Sequence, residues 1–146
     1  MSLSAIIKTI KKNKHFLITS HTNPEGDALG SEIALWILLK KMGKRAIMVN
    51  DDGVPCEYEF LPHQQHITRF TQKLIGRFKF DCFVVLDCSD LKRTGQVHML
   101  NAQRKPVLNI DHHVSNQYFG DVNWVYPCAS SASEMVFALY KRLGVA

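Results

Sequence analysis

Four short apolar runs, residues 16–19, 46–49, 82–86 and 107–110, constrain this chain more than any other feature. They are rich in Val, Ile and Phe, bounded by polar residues, and apolar throughout instead of alternating. Strands of this kind are buried on both faces, as in a parallel sheet between helices. The intervening segments can hold crossover helices. Residues 4–13 carry Ile6, Ile7 and Ile10 at helical spacing. Residues 27–42 form a helix apolar almost all round, which points to burial on two sides, and Gly43 closes it as the C′ residue. Residues 74–78 and 96–104 are further helix candidates. A last helix over 134–143 opens with the capping box of Ser131 and Glu134 and stops at Gly144. The fold class expected is α/β: a doubly wound, mainly parallel sheet with helices on both faces.

Composition supports one such domain. The 146 residues are 46% hydrophobic and 21% charged, and they contain no repeat or linker. That excludes disordered, collagenous and disulfide-scaffold chains. A chain this long buries enough surface to fold without a metal or staple, so any metal is free to serve chemistry. The longest apolar run, 33–39, is far shorter than the ~20 residues of a membrane span. With no signal-peptide pattern either, no membrane partner and a cytoplasmic location are expected. Cys56, Cys82, Cys88 and Cys128 form no CxxC pair and read as free thiols in a reducing compartment. The net charge of +5 permits an anionic partner, but no aromatic-interleaved basic stripe or base-stacking platform is visible along the chain.

Polar residues follow each apolar run: Ser20 and His21; Asn50, Asp51 and Asp52; Asp87; and Asp111, His112 and His113. In open α/β sheets the ligand crevice lies outside the carboxyl ends of the strands, so these side chains converge on one edge. A lone Asp after a strand is more often a helix N-cap or turn former. Asp27 fits an N-cap, Asp111 fits an acceptor that holds a histidine ring, and His113 fits a structural histidine. Three strand ends carrying Asp or His together are harder to dismiss. The loop over 21–31 adds His21, Glu25 and Asp27, with Gly26 allowing a tight turn. Imidazole and carboxylate together suit Mn, Fe, Zn or Co. His15, His63, His66 and His98 lie outside these clusters and read as surface or packing residues.

These residues lie in four motifs: HTNPEGDALGS (21–31), VVLDCSD (84–90), NIDHH (109–113) and ASSASEM (129–135). In this order they resemble the DHH phosphoesterase family, and EYEFLP (57–62) and LDCSDLKRTG (86–95) are similar to its RecJ-like nanoRNase and pAp phosphatase branch. The resemblance implies a hydrolase with two divalent ions, commonly manganese, with magnesium, cobalt or iron as alternatives, and water as the nucleophile. It implies that His21, Glu25 and Asp87 hold one ion and that Asp27, Asp87 and His112 hold the other, with Asp87 bridging. His113 would contact the scissile phosphate, making Asp87, His112 and His113 the catalytic group, and Asp111 would orient the histidine pair. Backbone N–H groups at Ser130 and Ser131, at a helix N-terminus, add to the phosphate-binding site.

The implied substrates are short RNA or DNA, or a small nucleotide such as pAp. A homodimer is left open. The chain departs from the family at Glu25, where Asp is more frequent. Family members also continue past the Ser131 helix to a further strand-end Asp and a DHHA1 domain. Residues 1–146 are therefore expected to be a DHH domain that is incomplete at its C-terminus and lacks DHHA1. The rival readings are a non-catalytic or weakly active nucleotide or nucleic-acid binding fragment, and a pyrophosphatase, polyphosphatase or cyclic dinucleotide phosphodiesterase built on the same metal core.

Overall fold

The computed structural model describes residues 3–146. Helix α1 (Leu3–Lys12) leads into strand β1 (His15–Thr19), helix α2 (Gly26–Lys41) and strand β2 (Arg45–Asn50). Strands β3 (Ile67–Arg69), β4 (Cys82–Leu86), β5 (Val107–Asp111) and β6 (Val122–Val125) follow, and then helix α3 (Ala132–Leu143). All strands are parallel, in the spatial order β3-β2-β1-β4-β5-β6. The order reverses between β1 and β4, so the connections on either side of that point wind over opposite faces, and a crevice opens there at the carboxyl ends of the strands.

Both faces of the sheet are buried, as the apolar runs require. On one face Phe16, Ile18, Val84 and Leu108 pack against Ile6 of α1, Leu35 and Leu38 of α2, and Leu139 of α3. On the other, Leu17, Phe83 and Val85 pack against Phe70, Phe80, Val97 and Leu100. Neighbouring residues of one strand thus enter different cores, which is the two-residue period of a pleated strand. Helix α2 is apolar all round because it lies between the sheet and α3, where the Tyr140 hydroxyl donates to the Ala34 carbonyl (2.8 Å). Gly43 follows its C-cap in the left-handed region (φ +72°). At α3 the Ser131 hydroxyl accepts from the Glu134 N–H (3.0 Å), but the Glu134 carboxylate reaches back to Ser130, not to Ser131.

Two connections differ from expectation. In place of α-helices over 74–78 and 96–104 there are single 3₁₀ segments, Gln72–Leu74 and Val97–Asn101, with a third at Leu91–Thr94. Gly76 and Gly95 adopt positive φ and end the turns before them, and a 3₁₀ segment spans more sheet per residue than an α-helix. The second face is therefore covered by 3₁₀ helices. Strands β3 and β6 are short edge strands, β3 largely exposed and β6 interrupted by Asn123, and neither carries an apolar run. No helix of the described residues is long and apolar enough to cross a membrane.

Gly95 ties the second face to the crevice. A Cβ there would stand 2.3 Å from Asp51 Oδ2 and 2.8 Å from Asp51 Cβ, while Asp51 Oδ1 accepts from the Gln96 N–H (3.0 Å). Gly95→Ala combines positive-φ strain with this overlap and is expected to cost about 2–4 kcal/mol in urea unfolding. A loss below about 0.5 kcal/mol, the range of neutral surface substitutions, would contradict this packing.

Candidate metal centre

The ends of β1, β4 and β5 bring His21, Asp87, His112 and His113 together beside the N-terminus of α2. Asp87 is the centre of this group. It is 2% exposed and has φ +51°, a left-handed conformation that non-glycine residues seldom adopt. Its N–H donates to the Ile110 carbonyl (3.0 Å), which fixes the turn and aims the carboxylate inward.

Each carboxylate oxygen of Asp87 faces a different imidazole. Oδ2 is 3.7 Å from His21 Nε2, and Oδ1 is 3.4 Å from His112 Nε2 and 3.7 Å from His113 Nδ1. These separations exceed hydrogen-bond length, and the buried Oδ1 has no hydrogen-bond partner. Ligand atoms sharing an ion at roughly 2.1 Å lie about 3–3.5 Å apart, close to the spacing here. Asp87, His112 and His113 each offer a ligand atom within 4.8 Å of the others.

The outer nitrogens fix the tautomers. His21 Nδ1 lies 2.7 Å from the Thr22 carbonyl and His112 Nδ1 3.3 Å from the Ala129 carbonyl. A carbonyl only accepts, so both Nδ1 atoms carry the proton and both Nε2 lone pairs point at Asp87, the arrangement of metal-ligating histidines. The Asp87 carboxylate also raises the pKa of His21, outweighing its burial.

Asp27 is not the N-cap of α2; that position belongs to Glu25. The two oxygens of Asp27 accept from the N–H groups of Ala132 and Ser133 (2.8 Å each), and Oδ2 lies 3.6 Å from His112 Nε2. The positive end of α3 thus holds this carboxylate in place beside the histidine. Glu25 is exposed, and its side chain makes no hydrogen bond or ion pair with the described residues. At Ser130 and Ser131 the structure differs from the anion site expected of a helix N-terminus. The Ser130 N–H and hydroxyl both donate to the Glu134 carboxylate (2.7 and 2.8 Å), Ser131 caps α3, and the next two N–H groups hold Asp27.

Asp111 is fully buried and its Oδ1 accepts from His113 Nδ1 (2.7 Å). Its other oxygen accepts from Asn116 Nδ2 (2.6 Å), which also reaches Asn109 Oδ1 (2.8 Å) and the Cys88 carbonyl (3.3 Å). Asn116, absent from the sequence reading, therefore joins the β4 and β5 ends and steadies His113 through Asp111. The polar residues after β2 brace loops. Asp51 holds Gln96, Asp52 accepts from the Asn23 N–H (2.7 Å), and Asn50 accepts from Thr19 Oγ1 (3.2 Å). The remaining histidines are structural: His15 pairs with Asp81, His98 with the Gly95 carbonyl, and His63 and His66 pack with Trp36. All four cysteines are free, and burial pushes the thiols of Cys82 and Cys88 up to about 12.

Glu32 also went unread. It is fully buried in the middle of α2, accepts from Asn50 Nδ2 (2.9 Å) through Oε1, and leaves Oε2 without a partner. Burial raises its pKa to about 7, against the opposing influence of Ser20 and Asn50. Its sequence signal was an acid in the apolar middle of the helix, beyond the first turn that carries Asp27. Between its ordinary value of 4.5 and about 7, the folded chain keeps a proton that the unfolded chain releases. Stability therefore falls as pH rises through that window, by about 3 kcal/mol in all. In EDTA, Glu32→Gln should match the parent below pH 4.5 and exceed it at pH 8 in urea unfolding. Parallel pH curves for the two chains would contradict this.

Residues 15–145 match the model described as the DHH family, N-terminal domain. The chain is 34% identical over 128 residues to the bifunctional oligoribonuclease and PAP phosphatase NrnA of Thermus thermophilus, covering 88% of this chain and 37% of that protein. It is 26% identical over 139 residues to the protein of the same description from Bacillus subtilis, covering 92% and 41%. It thus spans about two fifths of the length of these relatives. The crystal structure of an exopolyphosphatase-related protein from Bacteroides fragilis superposes with a TM-score of 0.87 at 27% identity, over 97% of this chain and 43% of that one. With the family match running over nearly all of the folded chain and the DHH residues gathered at the sheet's crevice, the chain belongs to the DHH family of phosphoesterases.

Proposed function

We propose that this domain hydrolyses phosphodiester or phosphomonoester bonds of short oligonucleotides or small nucleotides, using two divalent ions, with manganese the first choice. The observation that carries this reading is the Asp87 carboxylate, whose two oxygens face different imidazoles while Oδ1 lacks any hydrogen bond. One ion would be held by His21, Glu25 and Asp87, the other by Asp27, Asp87 and His112. Such ions, when bound, lower the pKa of water and stabilise charge on phosphoryl oxygens.

The chain's own groups have distinct tasks. His21 and His112 keep their Nδ1 protons on backbone carbonyls, which leaves Nε2 basic and correctly aimed. Asp111 holds the Nδ1 side of His113, so the opposite ring nitrogen is the one available to the scissile phosphate. There the ring would neutralise the charge that develops on the phosphoryl oxygens. Asp27 is held in position by the α3 N-terminus.

The substrate class follows from the NrnA descriptions of the relatives from Thermus and Bacillus. The Bacteroides protein's description adds inorganic polyphosphate to the compounds assayed. Turnover of a trinucleotide RNA and of pAp should appear with Mn and vanish in EDTA. Asp87→Asn should fold normally, because Asn tolerates a left-handed backbone, and should lose activity by ~10³-fold or more, equivalent to roughly 4 kcal/mol of transition-state stabilisation. Equal turnover by parent and Asp87→Asn, or turnover that survives EDTA, would overturn the assignment.

A further inference from the structure

All strands of this sheet begin at one edge, opposite the crevice, and the cations of the chain collect there. The last turns of the three helices end at this edge with Lys11 and Lys12, Lys40 and Lys41, and Lys141 and Arg142. Those six offset the negative ends of the helix dipoles. No such reason covers the cations that enter the strands, apart from Lys44, whose ammonium donates to the Lys11 and Asn13 carbonyls at the end of α1. Lys14 precedes β1, while Lys44 and Arg45 open β2. Arg77 and Lys79 precede β4, and Arg104 and Lys105 precede β5. Backbone hydrogen bonds tie these segments side by side: Arg45 N–H to the Lys14 carbonyl (2.9 Å), Asp81 N–H to His15 (2.8 Å) and Phe83 N–H to Pro106 (2.9 Å). Thirteen of the 18 Lys and Arg residues thus share this edge with Asp81 and Asp121, two of the 13 acids.

Neither acid neutralises them. Asp81 accepts from the N–H groups of Lys14 (2.7 Å) and His15 (3.0 Å) and from the His15 ring (3.1 Å), and Asp121 accepts from the Val107 N–H (2.8 Å). Among the described residues, every ion pair involves a histidine, so none of these Lys or Arg side chains is paired with an Asp or Glu; Lys41 donates to the Ala146 oxygen and Lys44 to the Lys11 and Asn13 carbonyls, which leaves Arg45, Arg77, Lys79 and Lys105 unpaired. Two grooves of about 450 Å³ each run along the edge. One is lined by Arg45, Arg77 and Lys79, the other by Lys79, Lys105 and Asp81, whose carboxylate is turned to the Lys14 and His15 N–H groups, and the half-buried ring of Phe78 borders both.

We propose that this edge is a second nucleic-acid site, binding single-stranded RNA or DNA without metal. The phosphates lie along Arg45, Arg77, Lys79 and Lys105, and a base meets Phe78. Unpaired cations lining concave grooves around an aromatic ring fit a flexible phosphodiester chain with stackable bases. A flat anionic membrane would leave such grooves unfilled. The site is about 20 Å from Asp87, at roughly 3.3 Å per residue along β4. It needs no divalent ion and stands or falls separately from the hydrolase reading.

The test is fluorescence anisotropy of a labelled, nuclease-resistant phosphorothioate oligoribonucleotide, long enough to span both grooves, in EDTA at several salt concentrations. Binding should weaken with salt with a logarithmic slope of about −3, as four phosphate contacts at ~0.7 each require. Arg77→Glu with Lys79→Glu should raise Kd at least tenfold and flatten the slope by about 1.4, from loss of two contacts. Arg45→Glu with Lys105→Glu should act the same way, and both variants should keep the parent's melting temperature. No binding at 50 mM salt, or binding that both folded variants retain, would overturn the proposal. So would capture by phosphatidylglycerol vesicles without any affinity for the oligonucleotide.

Discussion

Asp87 places a carboxylate where almost no water reaches it, at the end of a central strand and against three imidazoles. An ionised group buried in this way is costly unless charge or hydrogen bonds compensate it, and Oδ1 has no hydrogen bond at all. Compensation therefore has to come from cations facing it. The surrounding features answer to that charge. It raises the pKa of His21, and it adds to the burial that raises the pKa of Glu32. The left-handed backbone at Asp87 is strain that the fold tolerates to hold the carboxylate inward, and such strain gathers at functional sites.

The topology supplies the geometry. Reversal of strand order between β1 and β4 puts His21 and Asp87 on adjacent strand ends, and β5 adds the histidine pair beside them. Helix α3 closes the group from the face that α2 covers, with its N-terminal N–H groups on Asp27. The same reversal and the return of every helix leave acids concentrated at one edge and cations at the other. Under the proposed function, a polyanion approaching the crevice would meet repulsion until bound divalent ions inverted the local field, because a bound ion is the largest charge in such a site.

Much of this could be read from the sequence because it rests on local pattern. The four apolar runs became β1, β2, β4 and β5, and the near-uniform apolarity of residues 27–42 reflected burial between sheet and helix. The edge strands β3 and β6 were not legible, since short, polar, partly exposed segments lack the continuous apolar signal. The segments over 74–78 and 96–104 read as α-helices because apolar spacing does not report the positive-φ residues Gly76, inside the first, and Arg104, at the end of the second. The site was legible in its strand-end Asp and His residues, but its supports were not. Glu32, Asn116 and the hold of α3 on Asp27 all depend on contacts between segments far apart in sequence. The basic edge is the extreme case: its cations are scattered singly and in pairs, and only the parallel topology assembles them.

The bridging role proposed for Asp87 can be examined directly by electron paramagnetic resonance of the purified chain titrated with Mn. The geometry predicts two ions per chain giving a spin-coupled signal, with the coupling lost in Asp87→Asn. A single isolated six-line manganese spectrum at saturation, unchanged by that substitution, would contradict it.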